Sequence, residues 1–295
     1  MAPITRICRV APAKLNLALH VRRRRGDGYH DLESVFVHCV DGDELWVEPA
    51  DTVSLRIEGP FAAGLSAGED NLVMRAARGV EAGFADAMRP SSIYRASICR
   101  GAAITLVKNL PLASGIGGGS ADAAMAIDLL AALWDLPDDL ERMEAIAATL
   151  GADVVPCMYR FPKRIEGRGE EYERLHDPAY RDWPVLLVNP GEQVPTGAVF
   201  AAWDGVDRGP LEARWFADVV AQGRNDLEVP ARAMVPRIGA AIDLLAAQPG
   251  AFGARMSGSG ATCFALFGSA AERDAAAAAI RAARPGWWVM ATRLA

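Results

Sequence analysis

The chain has 295 residues, of which 51% are hydrophobic and 23% are charged, and its formal net charge at pH 7 is −6. This composition is typical of a folded globular protein and excludes an intrinsically disordered chain. The acidic balance disfavours nucleic acid and anionic membranes as partners. No apolar stretch is long enough to span a bilayer, and the first ten residues lack the apolar core of a signal peptide. We therefore predict a cytoplasmic protein.

Five scattered cysteines show no spacing typical of a zinc site or a disulfide framework, so we expect free thiols.

The first third of the chain has the pattern of β-structure. Apolar and polar residues alternate strictly over 13–21, which predicts a half-buried strand with Lys14 and Asn16 on its polar face. A charged turn over 22–28 and a second strand over 32–40 follow. Asp41-Gly42-Asp43 is typical of a hairpin turn, and alternation resumes after it.

The rest of the chain mixes helix and strand. The spacing of apolar residues predicts a helix beginning near Asp70, a strand over 103–107, and helices over 120–134 and 138–150. Beyond 161 we expect strands at 184–188, 254–256, 263–267 and 287–291, and helices at 196–203, 211–221, 231–247 and 270–283. The absence of regular βαβ alternation favours the α+β class. We place a domain boundary near residue 160, giving domains 1–160 and 161–295.

A glycine-rich loop before the helix at 120–134 is the strongest functional signal. Glycines allow backbone N–H groups to approach an anion, and the N-terminus of the following helix favours negative charge. The loop does not end in the Gly-Lys-Ser/Thr of a Walker A motif and does not open a Rossmann unit. We therefore predict a phosphate-binding loop of another type, formed by Pro111, Leu112, Ala113, Ser114, Gly115, Ile116, Gly117, Gly118, Gly119, Ser120 and Ala121.

Three segments in order resemble the motifs of the GHMP small-molecule kinase family: Pro12–Asn16, Pro111–Ala121 and Ser257–Ala261. Further segments resemble the members of that family that phosphorylate the 2-hydroxyl of 4-diphosphocytidyl-2-C-methyl-D-erythritol in non-mevalonate isoprenoid biosynthesis. These segments are Ala13–Leu17, Gly26–Leu32, Asp70–Leu72, Leu150–Val154, Asn189–Gly191 with Pro195–Thr196, and Asn225–Leu227.

The resemblance implies a two-domain fold with the active site between the domains, and ATP as phosphoryl donor with Mg²⁺. Phosphoryl transfer depends on positioning and on stabilising spread negative charge. The resemblance assigns Asp153 as general base and places Lys14 beside it, where an ammonium would stabilise the developing charge. It also places Asn71 and Lys108 near the adenine, and it identifies no metal ligand.

For the acceptor, the resemblance implies a small molecule carrying cytidine diphosphate. Tyr29 and His30 would hold the cytidine, with Phe200 on its other side, because aromatic rings stack on bases. Asn16 and Thr196 match positions that contact the substrate.

Two alternatives remain open from the sequence. One is another GHMP kinase acting on mevalonate, homoserine or a sugar, against which the Gly28-Tyr29-His30 turn argues. The other is a non-enzymatic nucleotide- or RNA-binding protein, for which the arginine run 22–25 could contact phosphates. The net charge of −6 argues against RNA, and a protein without catalysis would need neither Lys14 nor Asp153. The sequence does not indicate an oligomeric state.

Overall fold

The computed structural model describes residues 6–88, 101–169 and 171–295. These residues form two compact units. The first contains the chain up to Pro12, Gly42–Leu110 and Gly118–Tyr159; the second contains Ala13–Asp41, Pro111–Gly117 and Arg160–Ala295. The units interleave along the chain. The division into domains 1–160 and 161–295 therefore stays a prediction, since no single cut of the chain separates the two compact units.

The first unit combines part of a sheet with a group of helices. Strand β3 (Ser54–Glu58) pairs in parallel with β4 (Gly101–Val107), which pairs antiparallel with the C-terminal half of β2 (His30–Ala50). The helices are α1 (Leu72–Gly83), α2 (Gly118–Leu133), α3 (Leu140–Leu150) and α4 (Val154–Met158). Helix α2 is apolar on nearly every side and packs against the other three, so it forms the centre of this unit.

The second unit contains a second sheet of four strands: β7 (Pro184–Asn189), β8 (Ala251–Met256), β9 (Cys263–Phe267) and β10 (Trp288–Arg293). Their order in the sheet is β10-β7-β9-β8, and neighbouring strands are antiparallel. The helices around this sheet are α5 (Thr196–Ala201), α6 (Phe216–Gln222), α7 (Glu228–Met234), α8 (Pro236–Ala246) and α9 (Ala270–Ala283). The core includes Leu186, Val188, Ile238, Leu245 and Phe267.

Three further strands complete the sheet that contains β2. Strand β1 (Ile7–Arg24) pairs with β2. In the second unit, the N-terminal half of β2 pairs with β5 (Lys163–Gly167), and β5 pairs with β6 (Glu171–Arg174).

The hairpin turn predicted at Asp41-Gly42-Asp43 is wrong, because β2 continues through these residues. Gly42 allows a close approach of neighbouring backbone: a Cβ there would collide with the carbonyl oxygen of Ala11. A glycine inside a strand commonly marks such an approach. The same residues that form tight turns thus serve here as a contact between β1 and β2.

Two predicted helix boundaries also change. Asn71, not Asp70, caps α1, since its side-chain oxygen accepts the Val73 N–H at 2.9 Å. The helix predicted over 231–247 is two helices, α7 and α8, that meet at Val235. Pro236 causes the break, because proline disfavours helical backbone in the preceding residue and suits the first position of a new helix.

Tertiary hydrogen bonds shorten the helix predicted over 211–221, which begins only at Phe216. The Leu211 N–H donates to Glu33 at 2.5 Å, and its carbonyl oxygen accepts from Arg164. Strands β5 and β6 were missed because residues 163–174 are mostly charged and lack alternation.

The four cysteines within the described residues, Cys8, Cys39, Cys157 and Cys263, form no disulfide with one another. Cys99 lies outside the described residues. Within the same residues, none of the helices has the length and apolar character needed to cross a membrane.

Candidate active site

In the second unit, hydrogen bonds connect the three motif segments. The Lys14 N–H donates to the carbonyl oxygen of Ile116 at 3.0 Å, which joins β1 to the glycine-rich loop. The Asn16 N–H donates to Ser257 Oγ at 3.1 Å, and that hydroxyl donates to the Gly115 carbonyl oxygen at 3.1 Å. Residues that are 241 positions apart therefore meet around Asn16.

The side chains of Lys14 and Asn16 belong to one buried network. Lys14 Nζ donates to Asn16 Oδ1 at 2.6 Å, and Asn16 Nδ2 donates to Ser34 Oγ at 2.7 Å. The Ser34 hydroxyl in turn donates to the Ala18 carbonyl oxygen at 2.6 Å. Lys14 Nζ also lies 5.1 Å from the centroid of the Phe36 ring. This network fixes the orientation of the Asn16 amide, and through it the position of the ammonium. Ser34 was not singled out from the sequence, where it is only one residue of a predicted strand.

The first half of the loop needs its glycines. Gly115 and Gly117 have φ of +76° and +63°, a region that side chains rarely adopt. A Cβ on Gly117 would lie 2.5 Å from Lys14 Cγ, and a Cβ on Gly115 would collide with the Ser257 carbonyl oxygen. The Thr262 N–H donates to the Ser114 carbonyl oxygen at 3.1 Å. The loop is therefore held against the Lys14 strand and the Ser257 segment.

The second half of the loop is the start of a helix. Gly118, Gly119, Ser120 and Ala121 are the first residues of α2, which begins two residues earlier than predicted. The first N–H groups of a helix have no partner inside it, and the helix dipole favours an anion there. A 16-residue helix that begins in a glycine-rich loop suits phosphate oxygens.

Lys108, which we predicted near the adenine, is buried in the first unit. Its ammonium donates to Asp43 and to Asp122, at 2.6 Å in the second pair. We call Asp43, Lys108 and Asp122 the buried triad. The other oxygen of Asp43 accepts the backbone N–H groups of Asn109 (2.6 Å) and Leu110 (2.8 Å). These contacts give Lys108 a structural role, and its predicted contact with adenine stays a prediction.

The buried triad lies against the first residue of α2, because a Cβ on Gly118 would be 3.0 Å from Lys108 Nζ. Burial raises the pKa of Asp122 to about 7, although Lys108 acts in the opposite direction. Burial would lower the pKa of Lys108, but Asp122 and Asp43 raise it above the usual value. Lys108 therefore stays charged, and its charge is compensated by carboxylates.

Asp153, the predicted general base, is half-buried and immediately precedes α4. Its carbonyl oxygen accepts the Cys157 N–H at 3.2 Å, and the neighbouring Val154 and Pro156 are buried. Because α4 packs against α2 and α3, the backbone that carries this carboxylate is well supported.

The predicted cytidine site is partly assembled in the second unit. The rings of His30 and Phe200 lie 5.1 Å apart, and Trp203 meets His30 edge-on at 5.7 Å. Tyr29 is 60% exposed, and Thr196 Oγ1 lies 2.9 Å from Ser259 Oγ. The structure thus brings His30 and Phe200 together, leaves Tyr29 at the surface, and adds Trp203, which the sequence reasoning missed.

Asn225-Asp226-Leu227 is one of the segments on which the family resemblance rests, and its side chains form hydrogen bonds to two other segments. Asn225 Nδ2 donates to the carbonyl oxygens of Met256 and Gly258, both at 2.8 Å. Asp226 accepts the Val21 N–H at 2.8 Å. These bonds tie the Ser257 segment and β1 to the same short loop.

Asn71 uses its side chain within its own loop, since besides capping α1 it donates to the Ser66 carbonyl oxygen at 2.8 Å. The described residues contain no group of three or more His, Cys, Asp or Glu side chains arranged to hold a metal ion.

Comparison with known proteins identifies the family. The profile described as "GHMP kinases N terminal domain" matches residues 71–161, and "GHMP kinases C terminal" matches residues 212–286. A 4-diphosphocytidyl-2-C-methyl-D-erythritol kinase from Rhizorhabdus wittichii is 51% identical over 287 residues, covering 97% of this chain and 94% of that protein. The chain belongs to the GHMP kinase family. A protein of the same name from Cereibacter sphaeroides (strain ATCC 17025 / ATH 2.4.3) is 45% identical, with 97% and 98% of the two chains covered.

Solved structures agree with this assignment. A crystal structure of 4-(cytidine 5'-diphospho)-2C-methyl-D-erythritol kinase has a TM-score of 0.79 and 34% identity, covering 98% of this chain and 99% of that one. A homoserine kinase from Cytophaga hutchinsonii has a TM-score of 0.68 at 19% identity, covering 100% and 96%, and this likeness shows the fold alone. The predicted α+β GHMP-kinase fold and the predicted class of enzyme, a small-molecule kinase, are confirmed.

Proposed function

We propose that this protein transfers the γ-phosphoryl group of ATP to the 2-hydroxyl of 4-diphosphocytidyl-2-C-methyl-D-erythritol, a step of non-mevalonate isoprenoid biosynthesis. The observation that carries the proposal is the network that joins Lys14 and Asn16 to the glycine-rich loop and to Ser257. Relatives at 45% and 51% identity, named for this activity, support the choice of acceptor.

The triphosphate of ATP would bind to the glycine-rich loop and the first N–H groups of α2. The positive φ of Gly115 and Gly117, and the space that a Cβ would fill, suit a loop whose backbone approaches an anion. Mg²⁺ would neutralise charge on the phosphate oxygens, and those oxygens and water would supply most of its ligands. Among the described residues, no group of three or more His, Cys, Asp or Glu side chains is arranged to hold a metal ion.

In the transfer, the oxygen of the acceptor hydroxyl forms a bond to the γ-phosphorus, the bond from that phosphorus to the β–γ bridging oxygen breaks, and ADP leaves. Asp153 would accept the proton of the hydroxyl. Lys14, held by Asn16, would stabilise negative charge that develops during the step. The Asn16–Ser34 hydrogen bond limits the reorientation of Asn16 while this charge develops.

The cytidine of the acceptor would lie against His30 and Phe200, with Tyr29 closing over it from the surface. Rings 5.1 Å apart give an apolar wall, and the imidazole edge gives a polar group for the base. Thr196, at the start of α5, would contact the acceptor from the same segment that carries Phe200. Binding energy from the cytidine would serve to orient the distant hydroxyl.

The test is ADP formation from ATP against a panel of acceptors: 4-diphosphocytidyl-2-C-methyl-D-erythritol, mevalonate, homoserine and galactose. We expect turnover with the first and at least 100-fold lower kcat/KM with the others. Turnover of one of the others in preference to the cytidine compound would contradict the proposed acceptor. Salt-dependent RNA binding without ATP turnover would overturn the kinase activity itself.

A further inference from the structure

The arginine run Arg22–Arg25 has no assigned role in phosphoryl transfer. Three of the four arginines are paired with carboxylates: Arg22 with Glu33 and Asp207, and both Arg23 and Arg25 with Asp31. These ion pairs offset positive charge on three of the four arginines. Arg24 is the last residue of β1. Because side chains alternate between the two faces of a strand, its side chain lies on the opposite face from that of Arg23.

Arg24 contacts His30 and the helix that carries Phe200. Its Nε–H donates to Nε2 of His30 at 3.3 Å, and its Nη2 donates to the Ala201 carbonyl oxygen at 3.0 Å. Ala201 is the last residue of α5, the helix that carries Phe200. One guanidinium therefore joins the imidazole on β2 to the helix that holds the opposing ring.

The hydrogen bond from Arg24 determines where the imidazole carries its proton. Arginine is a donor only, so Nε2 must accept with its lone pair. A neutral imidazole that accepts at Nε2 carries its proton on Nδ1. Burial lowers the pKa of His30, and the charge of Arg24 lowers it further, so the neutral form is favoured. Phe200 and Trp203 face the same ring and carry no charge.

We propose that Arg24 is a positioning residue that sets His30 as an Nδ1–H donor and thereby makes the site select cytosine over uracil. This inference rests on the proposed function. Cytosine has an unprotonated ring nitrogen, N3, beside its O2, and both accept hydrogen bonds. Uracil carries N3–H, a donor that would face the Nδ1–H donor of His30. A site built around a fixed donor rejects a ligand that cannot accept from it.

The first test reads the tautomer directly in the unliganded full chain. Nitrogen-15 NMR of labelled histidines, with His30 assigned through His30→Gln, should show a protonated Nδ1 and an unprotonated Nε2 at pH 7.5. Arg24→Met should change this population, and Arg24→Lys, which keeps a donor, should restore part of it. Arg23→Met is the matched control, because Arg23 pairs with Asp31 and not with His30. A wild-type His30 protonated on Nε2 would overturn the proposal.

The second test measures discrimination by turnover with the cytidine acceptor and its uridine analogue. In wild type, kcat/KM should favour the cytidine compound, and Arg24→Met should reduce this preference roughly 5- to 150-fold through the KM of the acceptor. The KM for ATP should not change, and Arg23→Met should keep the preference. An Arg24→Met enzyme with an unchanged cytidine-to-uridine ratio would overturn the role of Arg24. A wild type that turns over neither acceptor and binds neither cytidine nor uridine 5′-diphosphate in calorimetry would overturn the proposed function, and this inference with it.

Discussion

Lys14 and Lys108 are both buried lysines beside the same glycine-rich loop, yet their surroundings differ. Lys14 donates to an amide oxygen and lies near an aromatic ring, whereas Lys108 is held between the carboxylates of Asp43 and Asp122. Gly117 lies against the stem of Lys14, and Gly118 lies against the ammonium of Lys108. An ammonium between two carboxylates has its charge compensated and serves the fold, whereas the hydrogen bond to the Asn16 amide orients the Lys14 ammonium without neutralising it.

A similar contrast separates two aspartates of the first unit and gives the largest expected effect. Asp153 is half-buried at the start of α4, whereas Asp122 lies in the buried triad. Asp153→Asn should lower kcat by ~10²–10⁴-fold, because it loses a proton acceptor and keeps its shape. Steady-state kinetics with both substrates measures this. Turnover within about threefold of wild type, with both substrates still bound, would remove Asp153 from the chemistry.

Removing the charge of Lys108 should damage folding more than chemistry. Lys108→Met leaves Asp43 and Asp122 as buried carboxylates without their shared ammonium, and we expect about 3–5 kcal/mol loss in the free energy of unfolding. Urea denaturation followed by circular dichroism gives the value. Lys14→Met is the matched comparison, and the loss of its buried hydrogen bond to the Asn16 amide should cost about 1–3 kcal/mol. Equal losses of unfolding free energy in Lys108→Met and Lys14→Met would contradict the larger structural role that we assign to Lys108.

Alanine at Gly117 or at Gly118 should separate the effect of crowding Lys14 from the effect of crowding Lys108. Gly117→Ala must place a Cβ at φ +63° and 2.5 Å from Lys14 Cγ, which should weaken ATP binding by roughly 5- to 150-fold. Gly118→Ala lies in a helix, where alanine is preferred, and needs Lys108 to move by only a few tenths of an ångström. Calorimetric titration with ATP decides between them. A larger loss of ATP affinity in Gly118→Ala than in Gly117→Ala would contradict this prediction.

The buried triad also predicts a pH dependence of stability. The pKa of Asp122 is raised by burial to about 7, so the folded protein binds more protons than the unfolded chain between about pH 4 and pH 7. The contribution of this group to stability therefore falls as the pH rises through that window. Asp122→Asn cannot titrate. The free energy of unfolding of wild type minus that of the variant should fall from about pH 4 to 7 and stay level above. A difference that rises with pH would contradict the direction of the shift.

The sequence predicted those features that depend on neighbours along the chain. The alternation in β1, the glycine-rich loop and the bounds of α9 follow from local periodicity and from glycine content. The buried triad could not be found in this way, because its two carboxylates lie 65 and 14 positions from Lys108. Asp43 was read as part of a turn, since nothing in Asp41-Gly42-Asp43 reveals the close approach of β1.

For the same reason, only part of the candidate site could be predicted from the sequence. Lys14, Asn16 and the loop segment Pro111–Gly117 were named together through the resemblance, and the structure connects them by hydrogen bonds. The sequence did not single out Ser34 or Arg24, because their roles depend on tertiary contacts. Ser34 contacts Asn16 and the Ala18 carbonyl oxygen, and Arg24 contacts His30 and the Ala201 carbonyl oxygen. Such contacts depend on which strands pair, and periodicity does not contain that information.

The role of Lys14 in phosphoryl transfer is tested most directly by the rate of a single turnover of bound ATP and 4-diphosphocytidyl-2-C-methyl-D-erythritol by Lys14→Met, measured by rapid quench. Because the ammonium acts on charge that develops during transfer, we expect a rate ~10²–10³-fold below wild type with the affinity for ATP nearly unchanged. A rate within threefold of wild type, or a loss that disappears when ATP is raised to saturation, would contradict it.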